Sequence, residues 1–211
     1  MTQTVTHSLD AKYYTDPEIF RIEQDGVLAR TWQFAVHSSQ LENAGDYIAF
    51  EMAGESLFCI KGRDGIIRTF YNVCQHRAHQ LVSGTGTTRV VVCPYHAWTY
   101  ELTGGLRAGP NINVVEGFDK SKICLTEVRT EIFLGFVFVN LDNDAKQMDD
   151  WFPNVRVELT QWVPHFETLK PLEWVEVPEN CNWKVSIENY SECYHCSLNH
   201  PTFATGVVKP E

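Results

Sequence analysis

Cys74-Gln-His76 and, after residues 77–92, Cys93-Pro-Tyr-His96 are the two stretches whose reading decides the fold of this chain. Each supplies one thiolate and one imidazole. Two cysteines on one iron and two histidines on the other make the ligand set of a [2Fe–2S] centre of mixed ligation. Neutral imidazoles in place of thiolates make such a centre less negative and raise its potential above that of all-cysteine clusters. A centre of this kind carries one electron at a time. A structural Cys2His2 zinc site takes the same donors. Zinc knuckles, however, usually pair cysteine with cysteine and histidine with histidine. Here each knuckle is mixed, and the spacings differ by one residue.

Outward from the knuckles the texture is β. Short β-branched or aromatic runs occur at 47–51, 56–61, 66–71, 89–93, 98–101, 123–128 and 133–140. Turn signals separate them at Gly54, at Gly62-Arg-Asp-Gly65, at Gly84-Thr-Gly86 and at Thr103-Gly-Gly105. Both knuckles fall at strand ends, where a rigid sheet holds metal loops well. Residues 1–45 read as mainly helical. Asp16-Pro17-Glu18 supplies an N-cap, an N1 proline and a first-turn acid, and Ile19, Phe20, Leu28 and Trp32 form a core-facing stripe. A helix is predicted over 148–163 with Pro153 near its start, a strand over 170–178, and a second helix over 185–198. The division expected is 1–44 helical, 45–145 an all-β domain and 146–211 the beginning of a further domain.

The chain has 211 residues and a net charge of −10, with no basic stripe to neutralise phosphates, so nucleic acid is excluded as a partner. The apolar run from Ile132 to Leu141 is too short to span a bilayer and reads as a strand. Met1-Thr-Gln-Thr-Val-Thr-His7 has neither the basic nor the apolar region of a signal peptide. Seven cysteines, at 59, 74, 93, 124, 181, 193 and 196, then read as ligands and reduced thiols, and a cytoplasmic location is expected.

A second constellation lies near the end of the sequence, Glu192-Cys-Tyr-His195-Cys-Ser-Leu-Asn-His200-Pro201. Glu192 and His195 are three apart and share a helix face. His195 and His200 are five apart, roughly 140° round a continuous helix, so they reach one metal only if the helix ends between them. Pro201 favours that, because a residue before proline is pushed out of the α region. Two histidines and a carboxylate with open positions suit mononuclear Fe(II) and O2 activation. Alone, His-x4-His is a weak signal, and an ordinary core or surface histidine is the default. Cys193-x2-Cys196 competes as a redox or zinc motif, although it lies within the predicted helix, where both can be small buried side chains.

The runs Tyr71-Asn-Val-Cys-Gln-His-Arg77 and Cys93-Pro-Tyr-His-Ala-Trp98 closely resemble the cluster loops of Rieske non-haem iron oxygenases. Gln75 departs from the proline often found there, and the extra disulfide cysteines of respiratory-chain Rieske proteins are absent. The stretch Asn182-Trp-Lys-Val-Ser-Ile-Glu-Asn-Tyr-Ser-Glu-Cys-Tyr-His-Cys-Ser-Leu-Asn-His-Pro201 resembles the iron-binding segment of the α subunits of that family. The resemblance implies an α+β fold, with an all-β Rieske domain set between helical segments and the start of a helix-grip catalytic domain. It implies Cys74, His76, Cys93 and His96 as ligands of the [2Fe–2S] cluster, and His195 and His200 as ligands of a mononuclear Fe(II). It further implies Glu192 as the acid that bridges the two centres between subunits of a homotrimer. The third iron ligand, a carboxylate, is expected beyond Glu211, so the chain is expected to be incomplete for catalysis. Electrons are expected from NAD(P)H through a separate flavin or ferredoxin-type reductase, and O2 and a small organic substrate complete the reaction. Glutamate at 192, where aspartate is usual, is similar to the branch acting on quaternary amines such as carnitine, choline or betaines. A Rieske-type electron carrier without its own oxygenase site is the alternative.

Overall fold

In a computed structural model the described residues are 9–175, 177–192 and 194–206. They gather into two compact units, Glu23–Glu173 and Met1–Ile22 with Trp174–Glu211. The strands are β1 (Gln33–His37), β2 (Asp46–Met52), β3 (Glu55–Lys61), β4 (Ile67–Tyr71), β5 (Thr85–Thr87), β6 (Val91–Val92), β7 (Thr99–Tyr100), β8 (Leu106–Ala108), β9 (Glu127–Phe133) and β10 (Phe136–Asn140). The helices are α1 (Lys12–Thr15), α2 (Pro17–Gly26), α3 (Met148–Trp151), α4 (Val155–Trp162), α5 (Trp183–Ser191), α6 (Cys196–Asn199) and α7 (Pro201–Gly206). The class is α+β, as the sequence implies.

All strands belong to Glu23–Glu173 and every pairing is antiparallel. One sheet runs β1-β10-β9-β4-β3-β2-β5 and a smaller one runs β6-β7-β8. Alternation along β4 and β7 sends Phe70 and Tyr100 inward, and they meet Phe58, Ile60, Val91, Trp98, Leu106 and Leu125 in one core. Cys74 and Cys93 are buried in that same core. The two sheets therefore carry the two knuckles towards a common apolar interior, which explains why thiols end up where water does not reach.

The helical expectation for residues 1–45 holds for α2, whose Asp16 Oδ1 accepts the Glu18 N–H at 2.8 Å. It fails for residues 33–37. These form β1, which pairs with β10 at the sheet edge and bends at a register shift between Phe34 and Val36. Of the expected core stripe only Trp32 is buried, its indole N–H donating to the Lys146 carbonyl. The run 132–141 is not one strand. Leu134 and Gly135 both have positive φ and turn the chain between β9 and β10, the two-residue geometry whose twist suits a hairpin. Helix 148–163 is likewise two helices, because Asn154 adopts φ 75° beside Pro153 and interrupts it. Trp162, Trp174 and Tyr190 are exposed despite their size, and residues 170–175 form no strand.

Gly45 fixes one end of the larger sheet. Its N–H donates to Lys61 O and its carbonyl accepts from Thr88 N, and its φ of 94° is open mainly to glycine. A Cβ there would collide with the Thr88 carbonyl oxygen. Gly45→Ala is therefore expected to cost on the order of 3 kcal/mol, combining backbone strain and overpacking, as a lower midpoint in urea denaturation.

Candidate metal centres

The two knuckles are built alike. The Cys74 N–H donates to His79 O and the Ala78 N–H returns to Cys74 O, both at 2.9 Å. The Cys93 N–H donates to Trp98 O at 2.8 Å and the Ala97 N–H returns to Cys93 O at 3.0 Å. Both loops thus close over an identical offset of four and five residues from the cysteine. Ala78 (φ 52°) and Ala97 (φ 54°) take the left-handed conformation that makes this possible. For an L-residue that conformation costs about 1–2 kcal/mol, offset in each loop by the hydrogen bonds it closes. The unequal donor spacing noted in the sequence concerns only where histidine sits within two equivalent loops.

Cys74 and Cys93 are each 2% exposed, and neither is in a disulfide. His76 and His96 lie side by side, ring centroids 4.8 Å apart with planes at 71°. Trp98 stacks on His76 at 4.8 Å and 10°, fixing its ring, and Tyr95 lies against His96 at 3.8 Å. His96 Nδ1 is buried with no hydrogen-bond partner. An orphaned nitrogen of this kind costs roughly 1–3 kcal/mol unless something accepts its lone pair. Desolvation, then the neighbouring His76, Arg77 and His79, hold the His96 imidazole below its ordinary pKa, a shift that favours the neutral form a metal ligand needs. The donor set fits a cluster of two irons, each taking two protein ligands. Among the described residues no three His, Cys, Asp or Glu side chains gather as a site for one ion, which is what a single zinc would demand.

Sequence reasoning missed two supporting residues. Tyr100 is fully buried, with its hydroxyl 3.2 Å from Cys74 Sγ and accepting the Gln75 N–H at 3.0 Å. Asn72, 1% exposed, accepts the N–H groups of Leu81 and Val82 and donates to Val82 O and Ser56 Oγ. It staples the strand leading into the first knuckle to the segment leaving it. The repeated Cys-x3-Ala pattern was the available sequence signal for the paired loops. Asn72 had none beyond lying two residues before Cys74.

In the second unit His195 is the N-cap and His200 the C-cap of the one-turn helix α6. Their ring centroids are 5.4 Å apart. His200 leaves the α region (φ −130°, ψ 58°) immediately before Pro201, which opens α7. The predicted continuous helix over 185–198 is corrected. α5 starts two residues earlier, with Asn182 capping the Lys184 N–H, and ends at Ser191. Glu192 is extended (φ −125°, ψ 126°). Glu192 and His195 therefore do not share a helix face, and Glu192 does not join the two histidines in a three-residue group. The break is what lets two imidazoles meet that a straight helix would turn apart. Cys196 is buried and disulfide-bonded, against the expectation of reduced thiols throughout. Cys193 lies outside the described residues.

Residues 31–119 match the Rieske [2Fe-2S] domain family, and residues 166–209 match the ring hydroxylating alpha subunit (catalytic domain) family. The chain belongs to the Rieske non-haem iron oxygenase α subunits. The carnitine monooxygenase oxygenase subunit of Escherichia coli (strain K12) is 41% identical over 95% of this chain and 54% of its own length. The glycine betaine monooxygenase oxygenase subunit of Chromohalobacter salexigens is 32% identical over 96% of this chain and 45% of its own. The crystal structure of the quaternary ammonium Rieske monooxygenase CntA with L-carnitine superposes with a TM-score of 0.84 at 38% identity, covering 93% of this chain and 56% of that one. The chain thus spans about half the length of the relatives it matches. The Rieske domain supplies a [2Fe–2S] cluster and the oxygenase domain a mononuclear iron. No helix among the described residues is long and apolar enough to cross a membrane.

Asn72→Ala would orphan the N–H groups of Leu81 and Val82. We expect a loss of about 2–4 kcal/mol of stability, measured by chemical denaturation. Asn72→Asp keeps both accepted bonds and is expected to recover part of it.

Proposed function

We propose that this chain belongs to the terminal oxygenase of a two-component system acting on a small quaternary amine of the carnitine and betaine class. Cys74 and Cys93 hold one iron of the [2Fe–2S] cluster, and His76 and His96 hold the other. His195 and His200 hold the mononuclear Fe(II), whose third, carboxylate ligand comes from another part of the protein. Bound together, these groups supply single-electron storage and O2 activation for hydroxylation or oxidative N-demethylation. The observation that carries the reading is the orphaned, buried Nδ1 of His96 beside His76, in a core that also buries Cys74 and Cys93. The match of residues 166–209 to a catalytic domain speaks against an electron carrier with no oxygenase site.

The residues of the chain have distinct tasks. Cys74 and Cys93 keep their sulfurs out of water, and Trp98 orients the His76 ring. The Tyr100 hydroxyl donates to the Cys74 thiolate, which favours the form carrying the extra electron. Glu192, exposed and extended between α5 and α6, is free to accept hydrogen bonds from two imidazoles. In a homotrimer it would link His96 of one subunit to His195 of the next, orienting both rings. Electrons come from cytoplasmic NAD(P)H through a flavin or ferredoxin-type reductase. The quaternary-amine substrate class rests on the carnitine and betaine relatives and on glutamate at 192. The sequence-derived boundaries at 45 and 145 are retained for the Rieske domain, with β1 added to its sheet from the preceding segment.

In the full-length protein with its reductase, O2 uptake is expected with L-carnitine, γ-butyrobetaine or glycine betaine and not with naphthalene. Uptake with naphthalene alone would refute the substrate class. His195→Ala and His200→Ala are each expected to lose the mononuclear iron while keeping the cluster, read as iron and acid-labile sulfide per chain. Tyr100→Phe is expected to lower the cluster potential by roughly 20–60 mV, the one-electron equivalent of a 0.5–1.5 kcal/mol hydrogen bond, in a redox titration followed by EPR.

A further inference from the structure

Charge is distributed unevenly along this acidic chain. Between Ser56 and Val115 it carries six cations (Lys61, Arg63, Arg68, Arg77, Arg89 and Arg107) and two acids (Asp64 and Glu101), a local balance of +4 within a net −10. Several of these cations converge on the smaller sheet. The Arg63 guanidinium donates to the Arg89 carbonyl at 2.8 Å and lies 3.6 Å from Glu101. Arg107 approaches the other Glu101 oxygen at 3.6 Å, and Lys120 Nζ donates to Arg107 O at 3.0 Å. Glu101 thus pairs with two cations, and main-chain carbonyls tie Arg89 and Lys120 to the same two arginines. The nearby acids Asp64 and Asp119 face Arg68 and Lys122. The side chains of Arg63 and Arg107 are more than half exposed.

The patch lies one residue from the cluster core. β7 ends at Tyr100, and strand alternation turns successive side chains to opposite faces. Tyr100 points inward to Cys74 Sγ, and Glu101, next in sequence, points outward to Arg63 and Arg107. His96 lies in the loop between β6 and β7, at the other end of that hairpin from Arg89 and Glu101, and the exposed His76 sits against it.

We infer that the face formed by Arg63, Arg89, Arg107 and Lys120 is the docking site for the acidic surface of an electron-donor protein, so that electrons enter on the cysteine side of the cluster and leave on the histidine side. The inference rests on the cluster reading above. The donor's reduced iron–sulfur or flavin centre gives up one electron and the cluster accepts it, with no bond made or broken and no proton moved. Complementary charge accelerates such encounters by one to three orders of magnitude at low salt, and the gain falls steeply as salt rises. Nucleic acid as the occupant is disfavoured by the strongly acidic remainder of the chain.

The test is stopped-flow reduction of the oxidised full-length protein by a reduced, acidic plant-type [2Fe–2S] ferredoxin, at low and high salt. Arg89→Glu and Arg107→Glu are compared with the charge-matched control Lys146→Glu on another surface. The expected result is at least a tenfold slower second-order reduction for the two arginine variants at low salt. Their salt dependence should flatten, the control should match the wild type, and all should give the same EPR signal with dithionite. Equal rates and an unchanged salt slope in the arginine variants would overturn the docking site while leaving the cluster intact. A wild type without the dithionite signal would instead overturn the cluster reading and this inference with it.

Discussion

The rest of the structure depends on closing two short loops tightly enough to put a cysteine sulfur indoors and an imidazole beside it. Each loop does this with a pair of backbone hydrogen bonds across an alanine held at positive φ, Ala78 in one and Ala97 in the other. The local strain is tolerated because β4 on one side and the β6–β7 hairpin on the other are anchored in a shared apolar core. Phe58, Phe70 and Tyr100 fill that core, so the packing that folds the domain also keeps water from the thiols. Stability and ligand geometry are therefore one problem here.

The two centres solve the pairing of histidines differently. In the knuckles, sheet geometry presents His76 and His96 from separate loops, and aromatic neighbours on both rings limit their motion. Around α6, a helix of a single turn brings together His195 and His200 from its two caps. The first arrangement is rigid and keeps its two sulfurs sheltered, as suits a centre that changes charge with little change in shape. The second has an exposed His200 and an extended Glu192 before it, leaving room for further ligands. A basic face near the cysteines and the exposed His76 at a loop tip give the cluster two sides of different chemistry.

Much of this was legible in the sequence. The knuckles and the strands β2, β3 and β4 follow from residue type and alternation, and the two histidines flanking a helix end follow from Pro201. What escaped has physical reasons. β5 and β8 hold three residues each, too few for a periodic signal, while β6 and β7 fall inside the runs read at 89–93 and 98–101. β1 is defined by pairing with β10, about a hundred residues away in sequence. Leu134 hid a hairpin because an apolar residue at positive φ is uncommon. The break after Ser191 is invisible to a helical pattern that continues to Leu198. Asn72 and Tyr100 act through what they touch, and contacts are not written in a motif.

The central claim is that Cys74, Cys93, His76 and His96 hold two irons in unlike environments. Mössbauer spectroscopy of the 57Fe-labelled, one-electron-reduced protein tests it most directly, with His195→Ala and His200→Ala removing the mononuclear iron signal. The account predicts two equally intense components, a ferric iron with sulfur ligation and a ferrous iron with histidine ligation. A single iron environment, or zinc in place of iron with no acid-labile sulfide, would contradict it.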